Sequence, residues 1–115
     1  MESGISLAAL VDRHLEKARS VSSGRSSDTV YGGAEHALRQ TVFALTAGTK
    51  LQDHESPGEA TLQVLSGHVI LTGGPSGDTE GHYGDLIVIP NVRHGLTAVT
   101  DSVVLLTVVK TPHHE

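Results

Sequence analysis

Residues 48–67 read GTKLQDHESPGEATLQVLSG, and this stretch decides the fold class. It opens and closes on a glycine, and a Pro-Gly pair divides it. After that pair, apolar and polar residues alternate from Ala60 to Val64, which is the period of a β-strand with one buried face. The stretch therefore predicts a turn that is rich in carboxylates, carries His54 and leads into a half-buried strand.

The strand pattern recurs along the chain. Residues 36–48 alternate and contain β-branched residues, which supports a strand, and four short segments read as further strands: 68–72, 85–89, 95–99 and 102–109. Gly-rich turns separate them. Several short strands at nearly regular spacing indicate an antiparallel sandwich or barrel.

The turns carry their own signals. Three glycines lie at strand ends, where a tight turn needs a positive φ or no side chain: Gly48, Gly67 and Gly84. The long segment 73–84, GGPSGDTEGHYG, predicts a loop in which His82 is solvated. His68 opens a strand after a glycine turn and is interpreted as an exposed hairpin residue.

The N-terminal part differs from the rest. Residues 6–19 carry a helical pattern, with apolar side chains three and four positions apart and Ser6 placed to cap the first turn. His14 is expected to face water. Residues 20–33 are rich in Ser and Gly and predict a loop or an extended arm, in which the tripeptide TVY adds a short strand to a sheet edge.

A chain of 115 residues suits one domain with a single core. We divide it into an N-terminal helix and arm (1–33), a barrel (34–110) and a frayed tail (111–115). The expected fold class is all-β with one N-terminal helix.

The composition argues against several classes of protein. The net charge of −5 and the aromatic content of 3% disfavour a nucleic-acid binder, which needs a basic surface or stacking platforms. The chain has no cysteine, which excludes disulfides and thiolate metal sites. The apolar runs at 5–11 and 103–109 are seven residues long, too short for a membrane span. We expect a cytoplasmic protein with no nucleic-acid or membrane partner.

Two motifs resemble those of the cupin family, the small jelly-roll barrels. The first cupin motif is G-x5-H-x-H-x3,4-E-x6-G; Gly48 and His54 match it in identity and spacing, and Gly67 closes it. The second motif, G-x5-P-x-G-x2-H-x3-N, resembles GDLIVIPNVRH at 84–94. The resemblance covers about residues 36–109 and implies an RmlC-like jelly roll, the cupin double-stranded β-helix.

The resemblance also implies a metal site, and this chain departs from it. In metal-binding cupins, two histidines and a glutamate of the first motif and a histidine of the second hold one divalent metal. His54 fills the first of these positions and His94 the last. Ser56 stands at the second-histidine position, where a hydroxyl is a poor ligand beside imidazole, and Ala60 stands at the glutamate position.

Glu59 lies one residue before the expected glutamate. Because side chains alternate along a strand, this shift turns Glu59 to the face opposite Ala60. Leu62 and Val64 would then line the lumen together with Ala60. A turn or bulge after the Pro-Gly pair would instead aim the carboxylate inward.

The candidate metal ligands are therefore His54, His94 and Glu59. Gln40 and His36, which share one strand face, are candidates for a further ligand. A catalytic metal usually has at least three protein ligands plus an open position. We expect no tightly held catalytic metal, and at most weak binding of a divalent transition metal such as Zn, Fe, Mn or Ni.

Three functions stay open. The favoured one is a binding module whose barrel holds a small molecule, with a candidate pocket made of His54, His94, Gln40, Ser56, Leu62 and Val64. The second is a metal-dependent enzyme of the oxygenase or isomerase type that uses the ligands named above. The third is a structural homodimer without a ligand; cupins similar to this chain are often homodimers, and we expect one here. A DNA-binding regulator is disfavoured, because a single helix leaves no recognition helix.

Overall fold

The computed structural model describes residues 4–55 and 58–110. In these ranges the chain forms one helix and nine strands, in this order: α1 (Leu7–Ser20), β1 (Arg25–Tyr31), β2 (Leu38–Leu45), β3 (Lys50–His54), β4 (Gly58–Ser66), β5 (His68–Gly74), β6 (Gly77–His82), β7 (Leu86–Val88), β8 (His94–Ala98) and β9 (Ser102–Lys110).

The strands form two antiparallel sheets. One has five strands in the order β1-β2-β9-β4-β7, and the other has four in the order β3-β8-β5-β6. Both sheets contribute to one apolar cluster that includes Leu62, Val64, Val69, Leu71 and Val104. Two antiparallel sheets with a shared core are the jelly roll that the sequence predicted, and that prediction is confirmed.

The helix covers the outer face of the five-stranded sheet. Ser6 accepts a hydrogen bond from the Ala9 amide at 3.2 Å and caps α1, as predicted. Leu10 and Ala18 pack in a second apolar cluster with residues of β2 and β9: Val42, Ala44, Val103 and Leu105. Strands β2 and β9 are therefore buried on both faces here, which explains why the run at 103–109 is almost continuously apolar.

Two strands, β3 and β6, were not predicted from the sequence. The segment 73–84 is not a loop throughout, because it contains β6; His82 is exposed as expected but lies in that strand. Strand β3 was also missed. Both are edge strands of the four-stranded sheet, with a single buried position in β6 and none in β3, so neither shows apolar alternation. The arm 20–33 contains the seven-residue strand β1, which pairs with β2 through six register partners.

The glycines predicted at strand ends adopt positive φ: 85° at Gly48, 90° at Gly67 and 89° at Gly84. At Gly67 the packing adds a second reason. A Cβ there would collide with the carbonyl oxygen of Asp101 and the side chain of Ser102. The turn between β4 and β5 therefore needs glycine for both conformation and space.

No helix in the described part of the chain is long and apolar enough to cross a membrane.

The expectation that His14 faces water is wrong. Its side chain is buried between α1 and β1, where Nδ1 lies 2.6 Å from the Ser26 hydroxyl. Within the described residues Nε2 has no hydrogen-bond partner, although the Asp28 carboxylate lies 3.9 Å away. Burial lowers the pKa of His14 below its usual 6.5, and the charge of Arg13 acts in the same direction, while Asp28 opposes it.

This lowered pKa predicts an acid sensitivity of helix docking. The unfolded chain takes up the His14 proton more readily than the folded chain, so the free energy of unfolding falls as the pH drops below 6.5. Above about pH 6.5, His14 is neutral in both states and its contribution to the free energy of unfolding is fully present. We expect His14→Asn, which keeps a polar partner for Ser26, to flatten the pH dependence between about pH 7 and pH 5 in urea unfolding. His36→Asn, at an exposed site, should keep the wild-type slope; equal slopes for wild type and His14→Asn would contradict the assignment.

Asp101 ties α1 to the turn before β3. Its carboxylate accepts hydrogen bonds from Arg19 Nε and from the Ala47 amide, each at 2.8 Å. The bond from Arg19, and after it the bond from Ala47, lowers the pKa of Asp101 below its usual 3.8. The resulting stabilisation is present above pH 3.8, and it is lost as the pH falls through the lowered pKa that Asp101 has in the folded state.

We therefore expect Asp101→Asn to lower the free energy of unfolding at neutral pH by less than about 1 kcal/mol, the range of exposed ion pairs. The difference from wild type should shrink as the pH falls below 3.8 and the Asp101 carboxylate takes up a proton. Arg19→Gln, which leaves the bond from Ala47 in place, should cost no more than Asp101→Asn, and the double variant no more than Asp101→Asn. Additive losses in urea unfolding would show that the two residues act independently.

Candidate functional site

A cavity of about 210 Å³ lies between the two sheets. The five-stranded sheet contributes Phe43, Leu62 and Leu106 to its wall. The four-stranded sheet contributes Leu51 and Leu96 together with two histidines, His54 and His94. The cavity is thus an apolar space with two imidazoles at one side, and it reaches solvent beside Gln52 and His54, which are lining residues and exposed.

The two histidines face each other across neighbouring strands. His54 of β3 and His94 of β8 are register partners, and their ring centroids lie 4.6 Å apart at an interplanar angle of 63°. His94 is 4% exposed, whereas His54 is exposed. The structure therefore brings together the two residues that the cupin motifs singled out, although they stand forty positions apart in the chain.

An extra residue in β3 is what aims His54 at the cavity. Leu51 pairs with Leu96 and His54 with His94, so three steps along β3 match two steps along β8. In a regular strand, Leu51 and His54 would lie on opposite faces. The register shift between them absorbs the additional residue, as a β-bulge does, and puts both side chains on the cavity wall.

Both imidazoles are held in the same tautomer by the backbone. His54 Nδ1 lies 3.0 Å from the carbonyl oxygen of Gln52, and His94 Nδ1 lies 2.9 Å from that of Val92. A carbonyl oxygen only accepts, so each Nδ1 carries the proton and donates it. In its neutral form, such a ring has an Nε2 lone pair that can accept a hydrogen bond or ligate a metal.

Other predicted site residues lie elsewhere. Glu59 is exposed, whereas Ala60 is buried in the core, so the predicted alternation of β4 is confirmed and no bulge turns the carboxylate inward. Gln40 shares the strand face of Val42 and Ala44, which pack against α1. Its side-chain amide donates to Thr107 Oγ1 at 3.1 Å. Neither Glu59 nor Gln40 lines the cavity.

Of the remaining pocket candidates, Leu62 lines the cavity. Val64 is fully buried in the surrounding core rather than in the cavity wall. Ser56 and the tail 111–115 lie outside the described residues.

The cavity donors do not fit a three-ligand metal. Among residues 4–55 and 58–110, no His, Cys, Asp or Glu joins His54 and His94 in a group of three with ligand atoms close together. A catalytic metal usually requires three such ligands and an open position. The described residues of the barrel therefore do not form a three-ligand metal centre around His54 and His94. The one group of three in the described residues is His68, Glu80 and His82, none of which lines the cavity.

Sequence reasoning missed part of the cavity wall, including Phe43, Leu51, Gln52 and Leu106. Leu51 and Gln52 lie in the unpredicted strand β3. Phe43 carried a usable signal, because it is the single phenylalanine of the chain and lies in a predicted strand. Which face of that strand points inward was not readable, because both faces are apolar there.

The structure matches several solved proteins. A conserved protein of unknown function from Streptococcus pyogenes is 31% identical, with a TM-score of 0.70 over 81% of this chain and 80% of that one. An RmlC-like cupin from Desulfovibrio desulfuricans is 27% identical, with a TM-score of 0.64 over 74% of this chain and 81% of that one. The chain belongs to the cupin superfamily.

A larger protein shares only the fold. The salicylate 1,2-dioxygenase from Pseudaminobacter salicylatoxidans is 22% identical, with a TM-score of 0.71 over 88% of this chain, which spans about a third of that enzyme (33%). No family model matches the sequence, and no curated protein sequence matches it either.

The tautomers assigned above are testable in solution. At about pH 8, above the ordinary titration range of histidine, long-range ¹H–¹⁵N spectra should show protonated Nδ1 and unprotonated Nε2 for both His54 and His94. Asn substitution of each histidine in turn assigns the signals. A protonated Nε2 on either ring would show that the backbone carbonyl does not hold it.

Proposed function

We propose that this cupin is a binding protein for a small, mainly apolar molecule that carries a hydroxyl or another hydrogen-bond donor. The observation that carries this proposal is the pair of Nε2 acceptors of His54 and His94 on the wall of an otherwise apolar cavity. Pockets of this kind bind through apolar contact and are oriented by a few polar groups.

The size of the cavity limits the ligand. A closed apolar cavity of about 150 Å³ accommodates benzene. The cavity here, about 210 Å³, suits a substituted benzene ring or an aliphatic molecule of similar volume. Imidazoles that accept through Nε2 favour a donor on that molecule over a carboxylate, which offers only acceptors.

A metal-dependent oxygenase or isomerase is the second candidate. One observation favours it: a histidine whose Nδ1 donates to a backbone carbonyl is oriented as metal-ligating histidines are. Two imidazoles alone hold a divalent metal weakly, so this function needs a third donor from the substrate or solvent.

The binding proposal is tested with p-cresol and toluene as a matched pair of probes. In ¹H–¹⁵N titrations of the full chain, p-cresol should perturb amides of β3, β8 and β9. His54→Ala combined with His94→Ala should weaken p-cresol binding about tenfold, the effect of the one hydrogen bond that its hydroxyl donates, and leave toluene affinity nearly unchanged. His36→Ala is the control and should match wild type for both probes.

Two results would contradict the proposal: no perturbation of cavity amides at millimolar p-cresol, or equal p-cresol affinity in wild type and the double variant.

The metal-dependent enzyme is tested separately, by elemental analysis after dialysis against zinc. The test uses a His68→Asn/His82→Asn background, which removes the histidines of the group outside the cavity. One retained equivalent, lost on adding His54→Ala and His94→Ala, would favour the metal-dependent enzyme.

A further inference from the structure

The group His68, Glu80 and His82 lies on the hairpin formed by β5 and β6, outside the barrel cavity. His68 and His82 are register partners across the two strands, and their rings stack with centroids 4.1 Å apart and planes 24° apart. Glu80 precedes His82 by two positions and therefore shares its strand face. Val69 and Leu71, at the alternate positions of β5, point into the core.

The three side chains converge on one point. Glu80 Oε1 lies 2.9 Å from His68 Nε2 and 4.0 Å from His82 Nε2. The three ligand atoms all lie within 4.8 Å of one another. A tetrahedral zinc ion with bonds of about 2.0–2.1 Å needs ligand atoms about 3.3 Å apart. The observed separations lie on either side of that value, so small rotamer changes would complete the geometry.

The other side of the His82 ring also suits a ligand role. The Asp85 carboxylate is anchored by a 2.8 Å hydrogen bond from the His82 amide. It lies 3.8 Å from His82 Nδ1, beyond direct hydrogen-bond distance but next to the ring nitrogen that faces away from Glu80. A carboxylate at that position orients an imidazole that ligates through Nε2.

Without a metal, the cluster is only partly satisfied. His68 Nε2 and Glu80 Oε1 are at hydrogen-bond distance, but within the described residues the His82 ring makes no hydrogen bond. Protonation of both rings would place two like charges about 4 Å apart, which is unfavourable. A divalent cation needs both rings neutral and uses both Nε2 atoms together with the carboxylate.

We propose that His68, Glu80 and His82 form a surface site for a divalent transition metal of the Zn²⁺ class, separate from the barrel cavity. Two imidazoles and one carboxylate supply three protein ligands and leave one position to water. The ion joins edge strand β6 to β5, so its binding stabilises a hairpin whose outer strand has only one buried residue, Gly81.

The test is a titration of the full chain with ZnCl₂ alone, followed by calorimetry and by ¹H–¹⁵N spectra. We expect one equivalent to perturb β5 and β6, and amide hydrogen exchange in β6 to slow when zinc is present. Glu80→Gln, which removes the charge and keeps the shape, should weaken binding at least tenfold. His68→Asn combined with His82→Asn should abolish the binding of this one equivalent of zinc.

Three controls separate this site from other histidines of the chain. His54→Ala/His94→Ala, His36→Asn and His113→Asn/His114→Asn should each retain the wild-type zinc affinity for the hairpin site. Because Glu80 and His82 are exposed and His68 is half-buried, Glu80→Gln and His68→Asn/His82→Asn should remain folded, which circular dichroism checks. Unchanged zinc affinity in Glu80→Gln and in the double histidine variant, or zinc perturbations mapped away from β5 and β6, would overturn the proposal.

Discussion

One extra residue in β3, between Leu51 and His54, controls the character of the interior. It lets both side chains reach the cavity although they are an odd number of positions apart, and it sets His54 against His94 of the neighbouring strand. With regular pairing, His54 would face away from the cavity that Leu51 lines, and the interior would hold a single imidazole. The polar chemistry of the cavity therefore depends on an irregularity in one edge strand.

The same four-stranded sheet separates two kinds of histidine pair. On its inner face, His54 and His94 have their Nδ1 atoms tied to the backbone and have no acidic neighbour that completes a group of three among the described residues. On its outer face, His68 and His82 stack beside the carboxylate of Glu80. Neutral acceptors in an apolar space suit recognition of a molecule, whereas a carboxylate between two imidazoles suits a cation.

The five-stranded sheet forms the other wall of the cavity, and this wall is packed on both faces. Its central strands β2 and β9 are covered by the core on one face and by α1 on the other, so the wall that contributes Phe43 and Leu106 to the cavity is packed from behind. Gln40 lies on the covered face and is paired with Thr107, which takes it out of the ligand set that its sequence position suggested. Because protein interiors are close-packed, a wall packed on both faces has little space into which its side chains could shift.

Sequence patterns predicted the strands with a buried face, the capped helix and the glycine turns, because alternation, helical spacing and positive φ are local properties. The resemblance to the cupin motifs identified His54 and His94, but it kept Glu59 as a candidate ligand and left open which face of β4 it occupies. The structure places Glu59 on the exposed face. Sequence patterns failed for β3 and β6, since strands with one buried residue or none have no apolar period to detect.

By itself, the sequence determined the jelly-roll class and the two imidazoles that belong together. Only the tertiary structure decided which ring nitrogens are free, which strand faces point inward, and that His68, Glu80 and His82 meet on one surface. These properties depend on strand register and on backbone carbonyls supplied by neighbouring turns. Register is set by pairing between segments distant in the chain, so no local pattern encodes it.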